Sequence, residues 1–349
     1  MKNFSKFFCV FAVVSLFAAC SDDENSSPRP DTSGEILYVL NSGDWKSNNS
    51  SLTMYNVSTC ESVQGYFELV NGRGLGNTAN DIIVYGDKMY IAVAGESSIE
   101  VADTDAKSLK RIECGAQPRY LAAYDGKVYA TYYNGFVARL DTLTLEVDAL
   151  LKVGRNPEQL AICGDKLYVA NSGGMDYNSE LGYDNTVSVV DIENFREIEK
   201  IDVVLNPSQV ISDGKGVYVA SYGNYADVPG TLQYIPSGGV ASVVGKCSNM
   251  TEVCYASGLL YGYFSQYDAD WNATITYLSY NPVTGEVDSP WIKESYLPSP
   301  YKVCSLGENV CVTSSDYINN GDVYVYDNDG MLVFKISAGL NPVKVVSLD

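Results

Sequence analysis

Seven four-stranded sheets in a closed ring, an all-β seven-bladed β-propeller, is the fold class that three features of this 349-residue sequence predict. A turn proline recurs at a constant distance before a strand residue, units of four short strands repeat along the chain, and each chain end carries half a unit. Composition agrees: 46% of residues are hydrophobic and 19% charged, and 28 Tyr and 30 Gly mark a folded, turn-rich chain that favours strands.

The period is read from fixed offsets. Pro118 leads to Tyr129, Pro157 to Tyr168, Pro207 to Tyr218 and Pro300 to Cys311, each eleven residues on. Three residues after those prolines stand Leu121, Leu160, Val210 and Val303. Two further copies lack the proline and keep the tyrosine, one ending at Tyr90 and one running from Thr251 through Cys254 to Tyr261. The units recur every 39 to 52 residues, the spacing of propeller blades.

Within a unit, strand A is the alternating run after the proline. A Gly/Asp/Lys turn such as Gly164-Asp165-Lys166 leads to strand B, which carries the tyrosine. Strand C ends in Asn or Asp, as at Asn56, Asp103, Asp191 and Asp327, where the side chain can bond its own backbone and start the hairpin to strand D. The last nine residues, from Asn341, read as a strand A with no strand B after it. The segment from Glu35 to Leu40 reads as a strand B with no strand A before it. Pairing the N- and C-terminal strands completes the first blade and leaves no edge open, which a sandwich or solenoid does not account for.

Ahead of the ring, residues 1–19 read as a signal peptide, with Lys2 and Lys6 before an apolar run from Phe7 to Ala19. The cysteine after Ala18-Ala19 resembles a bacterial lipobox, which makes Cys20 the lipidation site; acyl chains there anchor a domain at about 0.8 kcal/mol per buried CH₂. Residues 20–34 are polar, acidic and proline-bearing, a flexible tether, and the propeller occupies 35–349. The acidic residues behind Cys20 resemble the address that sends lipoproteins of Bacteroidetes to the outer face of the outer membrane; a solvated linker is the alternative.

Charge and residue content exclude several function classes. Lys and Arg number 23 against 43 Asp and Glu, a net charge of -20 that repels nucleic acid. Histidine is absent, which removes Ser-His-Asp and Cys-His catalysis and imidazole metal sites. No carboxylate pair is marked as an acid/base couple, so the expectation is a protein that is not an enzyme and takes no cofactor and no resident metal. The run from Asp316 to Asp322 spaces oxygen ligands as calcium loops do but lacks the EF-hand pattern. The cysteines left after cleavage and acylation are odd in number and form no CxxC, which favours buried free thiols over disulfides.

The binding face is expected where strands B and C connect, because those loops are long in five blades. They hold Trp45, Tyr177, Tyr183, Tyr222, Tyr225, Tyr267, Trp271 and Tyr317, to which Tyr133 is added as a ligand-binding candidate. Packing against neighbouring loops is the alternative for each ring. Arg73, Arg119 and Arg155 fall on or beside the links from strand D to the next strand A, placed to receive an anionic or amide-rich ligand or to pair with acids. The link from Asn71 to Asn80 is glycine-rich, fitting either backbone approach to a ligand or a turn that needs positive φ.

Gly164-Asp165-Lys166-Leu167-Tyr168-Val169-Ala170-Asn171, followed by Thr186 to Asp191, resembles the YncE-like and NHL-like seven-bladed propellers. The stretches Leu37 to Gly43, Ser51 to Asn56 and Gly74 to Asp81 resemble more specifically the surface lipoprotein propellers of Bacteroides. Some of those capture cobalamin (vitamin B12) and pass it to a TonB-dependent outer-membrane transporter. The resemblance implies a corrinoid ligand, a transporter partner, and contact with the membrane through the lipid alone. A non-enzymatic scaffold for protein–protein interaction at the cell surface is the other reading.

Overall fold

The computed structural model describes residue 30 and residues 32–268, 273–293 and 299–348. The signal peptide, Cys20, most of the tether and Trp271 lie outside the described residues, as does the side chain of Tyr267. Seven sheets of four antiparallel strands make up the fold, a seven-bladed β-propeller.

Blade 1 joins the two ends of the chain. Its strand A is Pro342–Ser347 and its strand B Ile36–Asn41, paired from Leu37 opposite Ser347 to Asn41 opposite Pro342. Strands Ser51–Asn56 and Glu61–Val63 complete it. Side chains hold the seam too: Asn341 Nδ2 donates to the Gly43 carbonyl at 2.8 Å, and Asn41 Oδ1 accepts from the Gly339 N–H at 2.9 Å. Closure by the termini follows from the fact that neither half-blade can bury its edge alone.

The proline-to-tyrosine offset has a physical meaning. Strand A begins at the place of the proline in six blades, Ala79 taking that place in blade 2; in blade 6 the place is Met250 and the strand begins at Glu252, and Ala79 and Met250 stand eleven residues before Tyr90 and Tyr261. The third residue after that place (Ile82, Leu121, Leu160, Val210, Val253, Val303, Val345) is buried throughout, as are Tyr38, Tyr90, Tyr129, Tyr168, Tyr218 and Tyr261 of strand B. These side chains fill seven apolar layers, one between each pair of neighbouring blades, the last joining blade 7 to blade 1. Stability therefore lies between blades more than within them.

One element departs from the four-strand reading. After the short strand D of blade 1, Tyr66–Asn71 form a helix whose Tyr66 and Phe67 enter the layer between blades 1 and 2. Gly72 ends it at φ 65°, its N–H bonded to the Glu68 carbonyl. Gly76 lies at φ 131°, and neither it nor Gly72 borders a cavity on the long-loop face, so the turn reading accounts for these two glycines, while Gly74 has no positive φ. The hairpin of blade 6 is longer than its sequence suggests, its ladder running to Tyr267 opposite Ala273. The seven cysteines of the described residues are free; Cys163, Cys247, Cys254 and Cys311 are buried, Cys114 and Cys304 half-buried, and Cys60 exposed.

Candidate functional site

The second residue of each strand A after the proline place faces the axis of the ring. Asp81, Tyr120, Gln159, Gln209, Lys302 and Lys344 line a central channel of about 600 Å³, and Glu252 is bonded into the same ring. These side chains also stitch neighbouring blades. Asp81 accepts the Leu121 N–H at 2.8 Å, Gln159 that of Val210 at 3.2 Å, and Gln209 that of Val253 at 2.9 Å. Lys344 Nζ donates to Asp81 at 2.7 Å across the closure between blades 1 and 2. The same offset that marks the core positions marks this ring one residue earlier, a signal in the sequence beyond the loop candidates.

On the long-loop face the channel mouth widens into a basin of about 360 Å³ lined by Tyr120, Tyr133, Tyr177, Tyr183, Tyr222 and Tyr225. Four rings form a continuous arc over the loops of blades 4 and 5. Tyr177 and Tyr183 stack at 6.4 Å, Tyr183 meets Tyr225 edge-on at 6.5 Å, and Tyr225 stacks on Tyr222 at 6.2 Å. The rings pack on one another, yet Tyr177 and Tyr225 stay 58% and 74% exposed. Such rings offer large apolar faces at small entropic cost.

Two ion pairs form the floor. Arg119 donates through Nε and Nη2 to Glu158 Oε2 at 3.0 and 2.9 Å, and its guanidinium lies 4.8 Å from the Tyr133 ring centroid. Glu252, almost wholly buried, accepts from Lys302 Nζ at 2.7 Å and from the hydroxyl of Tyr222, while Gln209 reaches its other oxygen at 3.2 Å. Burial alone would lower the pKa of Lys302; the Glu252 carboxylate outweighs it and holds the ammonium protonated well above the usual lysine range. Burial pushes the Tyr120 hydroxyl up to about 12 and raises those of Tyr133 and Tyr222 further, so these phenols remain neutral donors and acceptors. Arg119, Tyr120, Gln209 and Lys302 border both cavities, which makes basin and channel one continuous recess.

The remaining candidates divide. Arg155 borders an adjoining hollow of about 400 Å³ that shares Tyr133, with Nη1 on Asp176 at 2.6 Å and on the Gly182 carbonyl at 2.9 Å. Arg73 lies away from the pore mouth: it binds Glu100 and Ser108 of blade 2 and covers Phe67 at 5.0 Å. All three arginines are therefore ion-paired, which is the alternative weighed for them. Tyr317 packs edge-on against Tyr301 at 5.5 Å, outside the basin lining, and Trp45 is 54% exposed on the loop of blade 1. Asp316 bonds the N–H groups of Ile318 and Asn319 in its own turn, and no metal-holding cluster of acids and cysteines occurs among the described residues.

No family model matches the chain, and no curated protein does. Among solved structures it is similar to a candidate 6-phosphogluconolactonase from Bacteroides uniformis, at 13% identity and TM-score 0.64, covering 90% of this chain and 99% of that one. A second candidate 6-phosphogluconolactonase, from Bacteroides fragilis, gives 14% identity and TM-score 0.60 over 92% and 100% of the two chains. Hydrazine synthase from Kuenenia stuttgartiensis gives 18% and 0.62 over 74% and 85%. At these identities the likeness is one of fold. What this chain shares with them is the propeller architecture.

Proposed function

We propose that this propeller is a surface-anchored capture protein that binds a nutrient ligand in the tyrosine basin and delivers it to a TonB-dependent outer-membrane transporter. The observation that carries the reading is the convergence of Tyr133, Tyr177, Tyr183, Tyr222 and Tyr225 with Arg119 on one open recess. A corrinoid suits it, having broad apolar faces for the rings and peripheral amides for the polar floor of Lys302, Gln209 and Asn206. Titration calorimetry of the mature chain with cyanocobalamin tests this; saturable heat at micromolar protein is expected, and its absence overturns the corrinoid assignment.

The scaffold reading rests on a different observation, the exposed Met175, Leu181 and Ile318 on loops of the same face. Capture of a stable partner from native outer membranes, undiminished by Tyr225→Ala, favours it over ligand capture. Two structural neighbours bear a lactonase name. We propose no such activity here, because Glu158, which lines the basin, and Glu252, which bonds Tyr222 and Lys302 of its lining, are engaged by Arg119 and Lys302 rather than free to act as a base.

A further inference from the structure

Two thiols face each other in the seam where the ring closes. Cys304, in strand A of blade 7 (Pro300–Leu306), and Cys311, in strand B (Asn309–Ser314), are direct partners in the antiparallel ladder. Such partners project from the same face of the sheet with Cα atoms about 4.5–5.5 Å apart, inside the separation a disulfide spans. Cys311 occupies the strand-B place that holds a buried tyrosine in the other six blades. Both thiols pack in the apolar layer between blades 7 and 1.

Their surroundings differ. Cys311 is wholly buried, whereas Cys304 is half-buried and lines the channel, as the buried Cys254 of blade 6 also does, so of the facing pair a small solute meets Cys304. Hydrogen bonding from the Cys311 thiol holds the Cys304 pKa below its usual value; burial opposes this, the Val345 backbone and Lys344 support it, and Asp81 works against it. Cys114, Cys247, Cys254 and Cys311 all shift upward. An accessible sulfur inclined to the thiolate, backed by a protected second thiol, is the arrangement of an attacking and a resolving cysteine.

We propose that Cys304 and Cys311 are a redox-active dithiol opening on the central channel, which a small peroxide converts to a cross-strand disulfide. The Cys304 thiolate attacks one peroxide oxygen, the O–O bond breaks, and the departing oxygen leaves as water after taking a proton, with Cys304 as sulfenic acid. The Cys311 sulfur then displaces that hydroxyl, which departs as a second water with the Cys311 proton, and the S–S bond forms. The two thiols give up two electrons in all, and the peroxide accepts them.

The test treats the reduced full chain with hydrogen peroxide and maps its peptides without reductant. The result expected is one bridge, joining the peptides of Cys304 and Cys311, formed at peroxide doses that leave Cys254 a free thiol. In Cys311→Ser the same dose leaves Cys304 as a sulfenic acid captured by dimedone. A bridge from Cys304 to Cys254, which lies close by but pairs in register with Tyr261, overturns the proposal. So does a Cys304 that stays reduced while the exposed Cys60 is oxidised. The wild-type map decides the question even where a variant fails to fold.

Discussion

Glu252 carries more of the site than any other single residue, since a buried carboxylate with three side-chain donors sets the position of each. Its removal strands the Lys302 ammonium in a low-dielectric floor. Glu252→Ala is therefore expected to lose about 3–5 kcal/mol in urea unfolding. Tyr222→Phe deletes only one charge-assisted bond and is expected to lose about 1.5–3 kcal/mol. Tyr225 is mostly exposed, so Tyr225→Ala should leave stability unchanged and weaken ligand binding about ten-fold, while Trp45→Ala, off the basin, changes neither. The pH response follows from the raised pKa of Lys302. Its contribution is complete below the ordinary lysine value and is lost only as pH rises through the higher folded value. Affinity measured at about pH 7 and about pH 9 should therefore agree, since Lys302, Tyr120, Tyr133, Tyr222 and Tyr225 are all shifted upward, away from that range.

At the level of elements, the link from blade 1 to blade 2 shows how local chemistry terminates structure. Gly72 closes the helix in the left-handed region, and a Cβ there would meet open space. Gly72→Ala is thus a purely conformational test, expected to cost about 1–2 kcal/mol in thermal or urea unfolding. Gly74→Ala, also in open space but without positive φ, should be close to neutral. The helix escaped the sequence reading because six residues make fewer than two turns, too little for a 3.6-residue period to emerge. Its signal was present all the same, in Tyr66, Phe67 and Val70 between the flanking Gly65 and Gly72. Strand boundaries in blade 6 were misjudged for another reason: the ladder to Tyr267 continues through polar residues that carry no burial pattern.

For the whole molecule, closure is the determining event. Strand Pro342–Ser347 supplies Val345 to the layer that unites blades 7 and 1, and Lys344 to the ion pair with Asp81. Deleting residues 342–349 exposes the edge of Ile36–Asn41 and two apolar layers at once. The expected outcome is loss of the cooperative melt, with aggregation visible by light scattering. A permuted chain that carries the same strand ahead of Glu35 should regain the melt, because the pairing and not the chain end is what matters. Contacts of such long sequence separation form late, so closure should also limit refolding of the intact chain.

The repeat was legible without coordinates because each blade solves the same packing problem with the same offsets. A proline place, a core residue three positions on and a buried tyrosine at eleven leave a period in the chain, and two half-units at the ends imply their own pairing. The candidate rings of blades 3, 4 and 5 were legible too, as aromatic residues on loops that a strand pattern cannot absorb. What only the tertiary structure decided was convergence. Long aromatic loops stand on five of the blades, and only their placement in three dimensions sets Tyr177 and Tyr225 inside the basin and Trp45 and Tyr317 outside its lining. The partners of Arg119 and Lys302 were hidden likewise, since Glu158 and Glu252 lie some forty to fifty residues away along the chain and come near only because successive blades turn about a common axis.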